Sequence, residues 1–197
     1  MSEYDALLER LAARVDALSH PSSAGLFWCI GTTLAAGTAM VVDESTLGQA
    51  FAAGRHFALS GMAHPQAAAL LLAVEGGTPS GEASAEATSP GTQQIWICAD
   101  VCLRIQADPE YRPGPAIEFA LEPVVSTVSQ EMFGVSQPGS EDEAQQYALI
   151  LRDQRVTDAV SGIDHALEHL ERTSIPVMAD LQRVLGLIEG VRPSSSD

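Results

Sequence analysis

The sequence predicts an all-α or predominantly α protein, about six helices packed as an irregular bundle and closed by a C-terminal antiparallel helical hairpin. Three observations carry this. Apolar residues recur at helical spacing at both ends of the chain: Leu7, Leu8, Leu11, Val15 and Leu18 near the start, and Val177, Met178, Leu181, Val184, Leu185 and Ile188 near the finish. Ser, Thr, Asp and Glu stand where helix caps belong, as in Ser140-Glu141-Asp142-Glu143. Aromatic residues make up only 5% of a chain that is 46% hydrophobic, so the core is built from Leu, Val, Ile and Ala, which suits closely packed helices better than a sandwich.

In chain order, residues 2–18 read as a first helix with acids in its first turn, ended by His20-Pro21-Ser22-Ser23. Residues 24–42 run without a charge and read as a buried helix. Asp43-Glu44-Ser45-Thr46 caps a third helix reaching Met62, and Pro65 opens a fourth whose apolar run, 67–74, stops at Gly76-Gly77. Residues 76–93 are Gly, Ser, Thr, Pro, Ala and Glu without apolar periodicity and read as a mobile linker or loop. The linker divides one domain into an N-terminal half, 1–75, and a C-terminal half, 94–192; residues 193–197 are a polar tail.

Two segments admit two readings. In 94–108 the residues Ile95, Ile97, Ala99, Val101, Leu103 and Ile105 alternate like a strand, while Asp100, Arg104 and Asp108 fall on one helical stripe and Asp100 can pair with Arg104. The pairing gives the helix a positive cause, so helix is preferred. In 116–134, Ile117, Phe119 and Leu121 alternate, while Pro123 could open a helix ending at Gly134. The alternative is an α+β fold with a β-hairpin in 94–122. Further on, a helix is expected over 140–172 and a last one over 175–191, capped by Ser174.

Composition excludes some functions. The formal charge is −16, from 26 acids against 10 bases, and no residue is Lys. Phosphate backbones and anionic membranes are repelled, and no Arg cluster offers an exception, so nucleic acid is not an expected partner. The uncharged stretch 24–42 is long enough to cross a bilayer, but its Gly and Thr content and its lack of flanking bases favour a core or interface helix. The acidic, amphipathic residues 1–14 do not resemble a secretory leader, and three cysteines fit a reducing compartment, so a cytoplasmic location is expected.

The sharpest chemical motif is His165-Ala166-Leu167-Glu168-His169, an H-x-x-E-H pattern. Two imidazoles four residues apart share one side of a helix and could hold a divalent transition metal such as zinc, with Glu168 polarising a bound water. Against this, the apolar stripe of Val156, Ala159, Val160, Ile163, Ala166, Leu167 and Leu170 puts both histidines on the opposite face, and Glu168 can pair with Arg172. Tyr147 and Leu151 share the histidine face, which suggests a cover such as a second subunit. Cys98 and Cys102 fall on one side in either structure but lack redox or zinc spacing, and Cys29 lacks a βαβ context, so all three read as core thiols. His56 and His64 have no assignable partner. Phosphate loops, nucleophile elbows and Glu-x-x-His pairs are missing, and without Lys there is no Schiff base.

Three function classes follow. The first and preferred is a non-catalytic accessory protein acting through self-association, a protein partner or an apolar small ligand. The second is a metal-dependent, hydrolase-like enzyme centred on His165, Glu168 and His169. The third is a cofactor-free helical enzyme using scattered residues such as His56, Asp100 or Cys98.

Overall fold

Serine caps set the first three helices. The computed structural model describes residues 2–38, 45–77, 91–134 and 143–192. Ser2 accepts the Asp5 N–H at 3.1 Å while Asp5 accepts the Ser2 N–H at 2.8 Å, a complete capping box for α1, Glu3–Ala17. Ser19 caps α2, His20–Gly37, and Ser45 caps α3, Thr46–Ser60, which ends on Gly61 at φ 68°. The remaining helices are α4, Ala67–Gly77; α5, Thr92–Ala107; α6, Glu118–Phe133; α7, Glu143–Ile150; α8, Gln154–Leu170; and α9, Met178–Leu187. Tight 3-10 turns at Gly114–Ile117 and Glu189–Val191 precede α6 and follow α9.

The fold is therefore all-α, with nine α-helices and no strand among the described residues rather than about six helices. Several boundaries depart from expectation. The sequence His20 to Ser23 opens α2 instead of ending α1, because Pro21 lies in the first turn, where its missing N–H costs nothing. The preferred helical reading of 94–108 holds and the hairpin alternative for 94–122 fails: α5 forms, with Asp100 and Arg104 bonded at 2.6 Å. Pro123 lies inside α6, which is fed by the preceding 3-10 turn and held by buried Ile117, Ala120 and Leu121. The expected helix over 140–172 is two helices. Asp153 leaves the helical conformation, accepts the Arg155 N–H at 2.9 Å and restarts the chain as the cap of α8. The last helix begins at Met178 rather than at Ile175, since Pro176 disfavours helical geometry in the residue before it. Residues 78–90 of the linker and 140–142 of the capping box lie outside the described residues; Gly76 and Gly77 continue α4, Gly91 precedes α5, Thr92 and Gln93 begin it, and Glu143 begins α7.

Helix α2 occupies the centre, with α3, α5, α8 and α9 against it. Leu26, Phe27, Cys29, Ile30 and Leu34 have no solvent exposure, which accounts for the uncharged stretch without a bilayer. No helix among the described residues is long and apolar enough to cross a membrane. The start of α2 is tied to the far end of the chain. The Ser19 hydroxyl donates to the Ser174 carbonyl and the Ser22 hydroxyl to the Thr173 carbonyl, both at 2.6 Å, while Leu181 of α9 packs on Gly25. Helix α1 lies along the Gly114–Ile117 turn and α7, and α4 covers α5 and α3.

Candidate functional site

The H-x-x-E-H motif lies on α8, with its apolar stripe buried as the wheel requires except for the half-buried Val160. Its three polar residues have separate surroundings. His165 is exposed. Glu168 accepts from the Arg172 guanidinium at 2.7 Å in an exposed pair of the expected spacing. His169 is not on the solvent face: its Nε2 lies 2.9 Å from Asp180 Oδ1 on α9, and both side chains are 22% exposed. The other Asp180 oxygen accepts the Val177 N–H at 2.8 Å and starts α9. That backbone bond, then the His169 bond and the nearby His169 and Arg183 charges, hold the Asp180 carboxyl below the usual carboxylate range.

Beside these, Asp164 on α8 takes the Arg14 guanidinium at 2.7 Å and Arg10 at 3.2 Å, and Glu171 takes Arg14 at 2.7 Å. The polar side of α8 thus binds α1 on one flank and α9 on the other. A groove of about 310 Å³ runs past His165, Glu168 and His169 to Arg183 and Leu187. Among the described residues no three His, Cys, Asp or Glu side chains cluster closely enough to hold a metal ion. Tyr147, expected to share the histidine face, belongs to α7 and stacks on Tyr4 of α1, ring centres 4.8 Å apart. Of the two histidines only His169 is covered, by α9 of the same chain, while His165 stays exposed.

The other candidates are scattered. Cys29, Cys98 and Cys102 are buried free thiols. Desolvation pushes Cys98 up to about 12 and raises Cys29 and Cys102 as well, so none is a thiolate nucleophile at neutral pH. Asp100 is held by Arg104, which also reaches Glu75. His56 and His64 meet edge to face, ring centres 5.9 Å apart, and the His64 N–H donates to Gln106 Oε1 at 2.9 Å.

Sequence reasoning missed a pocket of about 280 Å³ between α2 and α3, lined by Trp28, Thr32, Ala35, Gly48, Phe51, Ala52 and Arg55. The Arg55 guanidinium carbon lies 5.9 Å from the Trp28 ring centre. Phe51 sinks onto Gly31, where a Cβ would stand only 2.4 Å from the ring, and so forms the pocket wall. One sequence signal was available: Arg55 is the only base between Arg14 and Arg104. No protein-family model, curated protein or solved structure matches this chain.

Proposed function

We propose that the protein is a non-catalytic helical accessory protein that works by self-association through the outer face of α4. The observation that carries this is the character of that face. Leu72 is 70% exposed, and Ala68, Ala69 and Ala73 around it are exposed too. The one acid near its end, Glu75, is held by Arg104 of the same chain. A protruding Leu among small residues supplies both ridge and groove on one helix, which suits an isologous contact between two copies. Electrostatics agree, because two copies at −16 repel wherever charged surfaces meet, and this face is neutral.

The settled polar residues support the non-catalytic part of this reading. Glu168 is held by Arg172, His169 by Asp180 and Asp100 by Arg104, and the thiols are buried. Three free cysteines with no disulfide support a cytoplasmic location. One 11-residue helix contributes less than the ~1,200 Å² of a standard interface, so the dimer is of the weak, concentration-dependent class. Sedimentation velocity over a concentration series tests it. Wild type is expected to pass from monomer to dimer and Leu72→Glu to stay monomeric with an unchanged helical spectrum. A wild type monomeric throughout, or a Leu72→Glu variant that still dimerises, refutes the proposal.

A further inference from the structure

We propose that the pocket between α2 and α3 is a binding site for a small amphipathic carboxylate, with its apolar body on Trp28 and Phe51 and its carboxylate on Arg55. The first argument is charge. In a chain with 26 acids and 10 bases, Arg10, Arg14, Arg104, Arg155 and Arg172 each grip a carboxylate, whereas Arg55, like Arg112, Arg152, Arg183 and Arg192, grips none among the described residues, and of these five it is the one set against a ring and a pocket. It lies over an indole face instead, which orients the guanidinium at the mouth of an apolar pocket. An anion is what this arrangement lacks, and a guanidinium grips a carboxylate with two parallel hydrogen bonds.

The second argument is shape. Gly48 and Ala52, one turn apart on α3, line the pocket with little or no side chain, and the bare Gly31 lets the Phe51 ring retreat into α2. At about 280 Å³ the pocket lies just below the range of drug-sized ligand sites. That admits a single ring or short branched chain and excludes a nucleotide. The single guanidinium and the −16 field likewise favour one negative charge over a polyphosphate.

The test uses the full chain with phenylacetate, indoleacetate and isovalerate as probes and phenylacetamide as the uncharged control, followed by calorimetry and by Trp28 fluorescence in a Trp96→Phe background. At least one acid is expected to saturate, phenylacetate binding about ten-fold tighter than its amide if it is the one, a difference of about 1.4 kcal/mol. Arg55→Gln, a surface change that leaves the core intact, is expected to remove the preference for acid, and Ala52→Leu to abolish binding by filling the pocket. The proposal is overturned if no acid of the panel saturates. Equal binding of phenylacetate and its amide, or an Arg55→Gln variant that binds acids like wild type, overturns it too.

Discussion

Replacing Gly162 by alanine sets two forces of opposite sign against each other. Within a helix, Gly→Ala is worth about 1 kcal/mol in favour of folding. At Gly162 of α8, however, the new Cβ would lie 2.2 Å from the Leu187 carbonyl oxygen and 3.2 Å from its carbon. Both are backbone atoms, so no side chain can swing away. The end of α9 must retreat by roughly 1 Å, carrying with it Ile188 and Val191, neither of which has any solvent exposure. Overpacking of this kind costs about 1–3 kcal/mol where side chains can repack, and the upper end or beyond applies to backbone. After the propensity gain, a net loss of roughly 1–3 kcal/mol remains. For a chain of this length that lowers Tm by about 2–12 °C. Gly186, in α9, is the matched control: it is exposed, and a Cβ there would meet nothing within 4 Å. Gly186→Ala is expected to raise Tm by about 1–4 °C. Thermal unfolding followed by circular dichroism reads both. If the two variants shift in the same direction, the packing of α8 against the chain's last turn has been misread.

Three further outcomes follow from the polar side of α8 and the core. His169→Ala is expected to lower stability by about 1–2 kcal/mol through loss of the Asp180 bond, while His165→Ala, at an exposed position, stays within about 0.5 kcal/mol; equal losses in urea denaturation would count against the separate roles given to the two histidines. Because the folded Asp180 carboxyl is lowered, its stabilisation is complete above about pH 4 and is lost as pH falls through the folded value. Asp180→Asn should therefore flatten the acid limb of the stability profile, and a variant that falls as steeply as wild type would contradict this. A thiol reagent is expected to leave all three cysteines of the native protein unmodified and to modify all three after denaturation; prompt labelling of any one in the native protein would show that its burial has been overestimated.

What could be read from the sequence was whatever is local. The stripe on the helix from Val156 to Leu170, the cap at Ser45 and the pairing of Asp100 with Arg104 involve neighbours within one or two turns, and each stands as expected. The errors arose where one local signal competed with another or with burial. Pro21 is as compatible with opening a helix as with closing one, and only the core packing of α2 decides. Asp153 reads equally as an interior residue or a cap, and its bond to the Arg155 N–H fixes the break. The position of His169 could not be reached from its own helix, since the partner that defines it, Asp180, comes from α9. The pocket at Arg55 is hidden for the same reason: its two sides are separate helices, and their residues follow no spacing rule.

The ties between α2 and the link after α8 constrain the order in which the chain can finish folding during synthesis. Ser19 finds its acceptor 155 residues later and Ser22 finds its own 151 residues later, and the surface at Gly25 waits for Leu181. Until those residues emerge, the most apolar helix near the N-terminus has one side uncovered. Contacts this distant in sequence form late, and exposed apolar surface in the interval invites association with other nascent chains. A chaperone that shields α2 until the last helix arrives would act at that stage, and a chain stopped before Thr173 would need such shielding indefinitely.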